Sequence, residues 1–530
     1  MSSSEGRMDL SETQAAPAAG HTAVVLANQL SPENPALAGA GRVVFVESLG
    51  AMRGRRYHRA RLHVVLSAMR HRAAELRSEG HEVIEIREAQ SVSSALIDGG
   101  WLGPTAAPVV CQRPESRRVA ESLADAGVHL LDGGTFVADA DEFAAWAAGR
   151  KRITMEFFYR RMRTEHNLLL DSAGDPEGGK WNLDSENRRP PKEGLSPPQP
   201  WLPTEDAIDA EVRSDLNRFE AEHGISMWGS GEPREFAATA SEAKAVLDDF
   251  IANRLAGFGP WQDAMVPGED TMFHARISVP LNLGLLDPLE ACHAAEAAYR
   301  AGAVPLQSAE GFIRQIIGWR EFVRCMYRLR DGEWETDNAL GASLPLPPAF
   351  HDPSATDWQC LSSTIATVDR TGYAHHIERL MVLGNSMLLL GIEPGEALAW
   401  FRESFVDAAD WVMAPNVLGM GIHADGGVMM TKPYAAGGNY MNRMSRHCGS
   451  CRYDPKQRKG ENACPLTAMY WEFLDRHRER FAANPRMSLA IRNLERIDPA
   501  ELEQVKQTAE AARERISRGE TPSSGSAKLL

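Results

Sequence analysis

The first 150 residues alternate between short apolar runs and longer stretches with helical spacing. Apolar, β-branched runs predict buried strands at 24–26, 43–46, 83–86 and 109–110. Apolar residues recur every three or four positions between Tyr57 and Gly80, which predicts a helix, and a second helix is predicted at 116–126. Strands that alternate with helices predict a parallel sheet with helices on its faces. A ligand of such a sheet binds at the carboxyl ends of its strands, and the missing GxGxxG after the first strand argues against a dinucleotide there.

The rest of the chain changes character twice. Residues 146–210 contain clustered glycines and a proline-rich run, which predicts an interdomain linker. From about Glu205 the apolar spacing is helical and alternating strands are scarce. The predicted fold is an α/β domain joined to a large all-helical domain. The predicted boundaries are a disordered tail at 1–20, the α/β domain at 21–145, the linker at 146–210, the helical domain at 211–517 and a disordered tail at 518–530.

Composition limits the class of protein. The chain has 530 residues, of which 43% are hydrophobic, so it can bury a large core. A net charge of −15 argues against a histone-like nucleic-acid binder, although local basic patches remain open. No apolar run approaches the roughly 20 residues of a membrane span, and the acidic residues near the N-terminus argue against a secretion signal. We expect a cytoplasmic, monomeric enzyme without membrane contact.

Three closely spaced cysteines are the sharpest local signal. Cys448, Cys451 and Cys464 follow the pattern C-x2-C-x12-C-P. Such spacing in a cytosolic chain predicts a zinc ion or an iron–sulfur cluster, and the proline after the last cysteine favours iron and sulfur. Buried structural cysteines are the simpler alternative. From spacing alone the fourth ligand stays open among Cys360, Cys325, Cys292, Cys111 and His447.

Two segments carry six basic residues and one acidic residue each. They span 150–163 and 443–459, and the second contains Cys448 and Cys451. In a chain of net charge −15, such local positive charge favours contact with phosphates, with a solvated surface as the alternative.

Three helical-region segments have chemistry that is ambiguous when each is taken alone. Ser278 and Asn282 precede a helix predicted near Asp287, where they can cradle a phosphate or simply cap the helix. Residues 319–322 read Trp-Arg-Glu-Phe, which is also typical of a salt-bridged helix. Two adjacent histidines with an arginine three residues later are harder to explain as structure alone; they are His375, His376 and Arg379.

Taken in order, these segments resemble the photolyase/cryptochrome family. The resemblance is carried by Ser278 and Asn282, by 319–322, by 372–379 and by 405–411. It is closest to the bacterial iron–sulfur branch, the prokaryotic (6-4) photolyases, through 410–417, through 431–434 and through the cysteines. It implies an α/β antenna domain, a helical domain that binds FAD, and a [4Fe-4S] cluster on four cysteines. The four that resemble the ligands are Cys360, Cys448, Cys451 and Cys464.

The resemblance also implies light-driven repair of pyrimidine (6-4) pyrimidone photoproducts in UV-damaged DNA. His376 matches the catalytic histidine and His375 stands beside it, whereas Leu380 occupies the position of the second histidine of eukaryotic enzymes. Proton transfer to the lesion suits an imidazole, which titrates near neutral pH. The resemblance implies flavin contacts at Ser278, Asn282, Arg320, Arg379, Asp407, Asp410 and Asn416.

Further roles follow from the same resemblance. Trp400 matches an electron-transfer aromatic, and Tyr440 is expected between flavin and cluster, with core packing as the alternative for each tryptophan. Met413 stands where a polar residue usually faces flavin N5. Glu47 matches the acid that contacts an antenna chromophore, 6,7-dimethyl-8-ribityllumazine, with an ordinary solvent-facing glutamate as the alternative.

Three functions are consistent with these features of the sequence. The first is a (6-4) DNA photolyase, the second is a blue-light-sensing cryptochrome with little repair activity, and the third is a zinc-stabilised nucleic-acid-binding module. The flavin motifs argue against the third. The histidine pair and the basic segments favour repair over sensing, because a repair enzyme must hold phosphates and an extruded lesion.

Overall fold

The computed structural model describes residues 19–103, 106–330 and 332–521. The predicted tails at 1–20 and 518–530 therefore lie outside the described residues, except for 19–20 and 518–521.

The first domain is built on a parallel five-stranded sheet, which confirms the predicted α/β class. Its strands are β1 (Thr22–Val25), β2 (Arg42–Ser48), β3 (Glu82–Ala89), β4 (Val109–Gln112) and β5 (His129–Leu131). Their spatial order is β3-β2-β1-β4-β5, and every neighbouring pair is parallel. The central strand β1 is buried throughout, because helices cover both faces of the sheet. The short strand β5 has no counterpart in the predicted pattern.

Helices connect these strands and lead into the second domain. Those of the first part of the chain are α1 (Leu49–Arg53), α2 (Arg59–Ser78), α3 (Val92–Asp98), α4 (Arg117–Asp125), α5 (Ala140–Ala147) and α6 (Met155–Glu165). Helix α6 lies inside the segment predicted as a linker and packs against residues 314–320 of the helical domain. The next helix, α7 (Ala207–His223), packs against α2. The connecting segment is thus bound to both domains.

The second domain is helical, as predicted; the described residues after 131 form no strand longer than an isolated bridge. Its first helices are α8 (Ala240–Asn253), α9 (Leu255–Trp261), α10 (Ser278–Leu283), α11 (Pro288–Arg300), α12 (Leu306–Ile313), α13 (Glu321–Leu329) and α14 (Gln359–Thr371). They are followed by α15 (Asn385–Leu390), α16 (Pro394–Ser404), α17 (Asp410–Ala414), α18 (Gly438–Met444), α19 (Pro465–Arg476), α20 (Arg478–Ala482), α21 (Ser488–Leu494) and α22 (Pro499–Arg518).

Three segments of this domain are wound as π-helices. They are Arg314–Arg320, Glu378–Gly384 and Pro415–Gly421. Each continues directly into or out of an α-helix, so each widens one turn within a longer helix. Widened turns of this kind are rare and occur frequently at functional sites. Within the described part of the chain, no helix is both long enough and apolar enough to cross a membrane.

A buried carboxylate joins the two domains. Glu321, fully buried at the start of α13, accepts hydrogen bonds from the backbone N–H groups of Val137 and Ala138, both at 2.9 Å. Its other oxygen accepts a hydrogen bond from Arg320 at 2.5 Å. Both oxygens are occupied, and the two hydrogen bonds from Val137 and Ala138, which are charge-assisted, fix the chain that follows β5 to the helical domain.

Replacing Glu321 by alanine leaves two amides and a guanidinium without a buried acceptor. We expect Glu321→Ala to lower the free energy of unfolding by about 3–5 kcal/mol, the usual cost of removing one partner of a buried ion pair. Urea unfolding of the purified protein measures this loss. The matched control is Glu333→Ala, which removes an exposed partner of Arg330 and is expected to cost less than about 1 kcal/mol. Equal losses in the two variants would contradict the role given to Glu321.

Candidate functional site

The helical domain encloses a cavity of about 710 Å³. All three π-helical segments contribute to its wall, together with α10 and the loop that precedes it. Its charged lining consists of seven cations and three acids: Arg188, Arg276, Arg314, Arg320, Arg379, Lys432 and Arg443, with Asp184, Asp263 and Asp407. The excess of positive charge, in a chain of net charge −15, makes the cavity suited to a polyanionic ligand.

One buried acid brings together four residues that the sequence predicted for the flavin site. Both oxygens of Asp407 accept hydrogen bonds from Arg379, at 2.8 and 3.0 Å. Asn282 donates to the backbone carbonyl of Asp407 at 2.9 Å, and Ser278 hydrogen-bonds its side chain. Burial raises the pKa of Asp407, but the ion pair with Arg379 outweighs it and holds that pKa below its usual value. These residues form one charged wall of the cavity.

Arg320 and Asn416, for which the resemblance implies flavin contacts, line other parts of the cavity. The guanidinium of Arg320 donates to the carbonyl of Thr135 at 2.9 Å and lies 4.3 Å from the ring centre of Phe136. The first domain thus positions an arginine of the second. Asn416 donates to the carbonyl of Val412 at 2.8 Å. This hydrogen bond uses the amide nitrogen, so the amide oxygen of Asn416 can accept from another partner.

His376 stands at the opening of the cavity. Its side chain is 51% exposed, and its Nε2 lies 3.3 Å from a carboxylate oxygen of Asp263. A half-exposed imidazole beside a carboxylate can meet a substrate that enters from solvent and can exchange a proton with it. Tyr440 also lines the cavity, on α18, and burial raises the pKa of its phenol above the usual value.

His375 is placed differently from the sequence expectation. It is 1% exposed and does not line the cavity among the described residues, although it is adjacent in sequence to His376. Its Nε2 lies 3.4 Å from an oxygen of Glu378. Burial, followed by the nearby Asp270, raises the pKa of Glu378 to about 8, so this acid is mostly protonated at neutral pH. His375 therefore contacts neutral groups behind the cavity wall.

Several of the predicted site residues make their contacts outside the cavity. Asp410 pairs with Arg402 at 2.8 Å and does not line the cavity. Trp400 is 1% exposed, donates to the carbonyl of Phe350 and packs among phenylalanines. Met413 is buried and, among the described residues, is not part of the cavity wall.

Glu47 lies at the carboxyl end of β2, as predicted, but its carboxylate is occupied. It is 4% exposed, and its two oxygens accept hydrogen bonds from buried Arg70 at 2.8 and 2.9 Å. Arg70 also binds Asp215 of α7, so the pair connects the sheet to the second domain. Neither the ligand-binding role nor a solvent-facing role describes this geometry.

The four predicted cysteines line one small cavity. Cys360 from α14 lies there with Cys448, Cys451 and Cys464, which come from the chain between α18 and α19. Burial raises the pKa of the Cys360 thiol, and the three other thiols, which are close enough to act on it, raise it further. A bound metal cation would reverse that repulsion, so the set fits a four-thiolate site. The other cysteines, Cys111, Cys292 and Cys325, are buried separately.

Helix α18 separates the two cavities. Tyr440, Arg443 and Met444 line the large cavity, whereas Met441 lines the cysteine cavity. His447, just after the helix, also lines the cysteine cavity, and burial lowers its pKa to about 4. One short helix therefore contacts both sites.

Many cationic side chains of the two basic segments already bind groups within the protein. In 150–163, Arg163 is fully buried on backbone carbonyls, while Arg160 and Arg161 pair with neighbouring acids. In 443–459, Arg452 pairs with Asp357. Arg443, by contrast, is exposed and lines the cavity.

Sequence reasoning missed two cavity residues that lie beside His376. Asp263 and His274 follow α9 in an irregular segment, where no periodic pattern marks them. A histidine placed four residues before the Ser278 motif was the available signal. Lys432, at the cavity opening, was noted only as part of the 431–434 pattern.

Comparisons with known proteins agree with this architecture. A family profile described as deoxyribodipyrimidine photo-lyase-related protein matches residues 23–235. The chain is 40% identical over 483 residues to a (6-4) photolyase of Agrobacterium fabrum, covering 88% of this chain and 93% of that protein. A class III photolyase from Agrobacterium tumefaciens shares the fold, with a TM-score of 0.52, 18% identity, and coverage of 96% of this chain and 98% of that one.

A cryptochrome from Synechocystis shares the fold with the same TM-score of 0.52 and 12% identity, over 95% of this chain and 100% of that chain. Likeness at this level of identity concerns the fold alone. The extended match to the (6-4) photolyase assigns the family: this chain belongs to the photolyase/cryptochrome family, among the bacterial (6-4) photolyases and photolyase-related proteins.

Proposed function

We propose that this protein uses light to repair pyrimidine (6-4) pyrimidone photoproducts in DNA. The observation that carries the proposal is the position of His376, half-exposed beside Asp263 at the opening of a cationic cavity. The (6-4) photolyase of Agrobacterium fabrum, 40% identical over most of the chain, supports the same activity.

The cavity residues fit FAD. The buried Nε atoms of Arg276 and Arg320 have no hydrogen-bond partner among the described residues. Unpartnered buried donors are rare in folded proteins and require an explanation. A ligand that carries phosphates, hydroxyls and ring carbonyls supplies the missing acceptors. When bound, FAD supplies the light-absorbing electron donor of the reaction.

The side chains that line the cavity have separate roles in binding the cofactor and in repair. Arg379, fixed by Asp407, and Arg320, fixed by Glu321, place two positive charges that favour an anionic cofactor. Ser278 and Asn282, on α10, are ordered by the same acid, Asp407. His376 can hold a proton for the lesion, and the carboxylate of Asp263 lies 3.3 Å from its Nε2. Trp411 and Met420 supply part of the apolar lining of the cavity.

We further propose that the four clustered cysteines hold a [4Fe-4S] cluster and that Tyr440 lies between it and the flavin. The support is the convergence of four thiols and the shared helix α18. For the predicted ribityllumazine antenna, the support is the family resemblance together with the parallel sheet, since ligands of such sheets bind at the carboxyl ends of the strands. Because Arg70 occupies the carboxylate of Glu47, we assign it no direct pigment contact.

The first prediction tests repair against sensing. Under blue light the parent protein should restore an oligonucleotide that contains a (6-4) photoproduct, measured by product chromatography. His376→Ala should retain FAD and bind the lesion within a few fold of the parent. Its repair rate should fall by about 10²–10⁴-fold, the usual contribution of a general acid–base group.

The control for this variant is His293→Ala, which removes an exposed imidazole on α11, outside the cavity. It should repair like the parent. Near-parent repair by His376→Ala would refute the proton-transfer role. A parent that leaves (6-4) DNA unchanged while its flavin is photoreduced would support the cryptochrome function instead.

The second prediction concerns the cysteines. Protein purified without oxygen should contain about four irons per chain, as a four-thiolate cubane cluster requires. Cys360→Ala should lose this iron, and much of the soluble protein with it, because cluster binding stabilises the fold. Cys292→Ala, a buried thiol in another part of the protein, should keep the iron. Stoichiometric zinc without iron in the parent would overturn the cluster.

The third prediction concerns DNA. Lys432 and Arg443 lie at the cavity and make no ion pair with another described residue. We expect the double variant Lys432→Gln/Arg443→Gln to weaken lesion binding and to reduce the slope of log affinity against log salt by about two. Fluorescence anisotropy at several salt concentrations measures the slope. The control, Arg160→Gln/Arg161→Gln, removes cations that already pair with acids and should leave the slope unchanged.

A further inference from the structure

His274 lies beside His376 although the two are about one hundred residues apart in sequence. Their ring centres are 5.2 Å apart, with the planes at 75°. The ring centre of His375 lies 4.7 Å from that of His274. Nitrogen atoms of the three rings lie within 4.8 Å of one another. His274 and His376 both line the cavity, whereas His375 does not.

The backbone that carries His274 is held in an unusual conformation. Met272 and Arg276, two residues away on either side, adopt φ angles of 48° and 57°, a region that side-chain-bearing residues rarely occupy. Such strain costs on the order of 1–3 kcal/mol per residue and concentrates at functional sites.

Two buried arginines maintain the segment in this conformation. Arg254 donates to the carbonyl of His274 at 2.8 Å, and Arg276 pairs with Glu235 at 2.8 Å. Arg254 is fully buried and Arg276 is nearly so. The orientation of His274 is therefore imposed by surrounding contacts rather than by local preference.

The surroundings keep His274 uncharged. Burial, followed by the neighbouring His376, Arg254 and Arg379, lowers the pKa of His274 well below its ordinary value. A neutral imidazole has one nitrogen that accepts a hydrogen bond, and Nε2 of His274 has no partner among the described residues. Behind it, His375 is also kept neutral by burial, and Glu378 is mostly protonated at neutral pH.

We infer that His274 is a positioning residue of the repair site, which accepts a hydrogen bond from His376 and holds its protonated ring towards the lesion. The inference rests on the proposed repair function. Leu380 occupies the position where the segment of His376 would otherwise carry a second imidazole, and His375 lies behind the cavity wall. His274 supplies that second imidazole from a distant segment of the chain.

The proton balance is simple. Protonated His376 donates one N–H to His274; its other nitrogen, Nε2, which lies beside Asp263 in the protein without substrate, gives its proton to the lesion and recovers it when repair ends. His274 gains and loses none. Hydrogen bonds of this kind are often long in a protein without substrate and shorten once the substrate is bound.

The experiment compares His274→Ala and His274→Gln with the parent, using FAD-loaded protein and a (6-4) oligonucleotide. Single-turnover repair is measured from pH 6 to 9, along with flavin content and lesion affinity. We expect His274→Ala to repair about 10–100-fold more slowly, with flavin and affinity within a few fold of the parent. Its repair profile should also lose activity at lower pH than the parent's, because the protonated state of His376 loses an acceptor. His274→Gln, whose amide oxygen still accepts, should recover part of the rate.

The matched control is His423→Ala, which removes a histidine of similar burial outside the cavity and should repair like the parent. Parent-like repair by His274→Ala overturns the inference. So does a loss that only follows lost flavin or lost affinity, or an equal loss in both variants with an unchanged pH profile. If the parent itself does not repair the lesion, the proposed function fails, which is a distinct result.

Discussion

The ion pair between Arg379 and Asp407 is the contact on which the cavity depends. It joins the π-helical segment Glu378–Gly384 to the turn before α17, and α10 attaches to the same acid through Ser278 and Asn282. The pair is almost entirely buried, so loss of either partner would leave an uncompensated charge in the wall. Three separate parts of the chain thus share one electrostatic constraint, and that constraint orders the proposed cofactor contacts.

Backbone geometry supplies the space that these charges surround. The π-helical segments Glu378–Gly384 and Pro415–Gly421 pack against each other at two glycines. A Cβ added at Gly384 would lie 3.3 Å from Cα of Gly421, so the two backbones meet at a distance that side chains would prevent. Both segments contribute side chains to the wall of the same cavity, among them Arg379 and Asn416.

The two candidate sites lie on either side of one short helix and a few buried residues. Helix α18 contacts the large cavity through Tyr440 and the cysteine cavity through Met441. His375 lies between His274 and Glu378, and His447 is close enough to lower its pKa further after burial and the nearer charges have acted.

Apolar spacing along the chain was enough to predict the α/β and helical domains, because it reports which face of an element is buried. The cysteine triplet could also be predicted from spacing, and ordered motifs pointed to Asp407, Arg379 and His376, which line the cavity. The partners of charged and aromatic groups could be known only from the folded structure: Glu47 pairs with Arg70, Asp410 pairs with Arg402, and Trp400 lies inside a phenylalanine cluster. The same holds for the separation of adjacent His375 and His376 and for the placing of His274 beside them. Periodicity records burial, whereas the identity of a partner depends on how the elements pack in three dimensions, which places His274 beside His376 although about one hundred residues separate them.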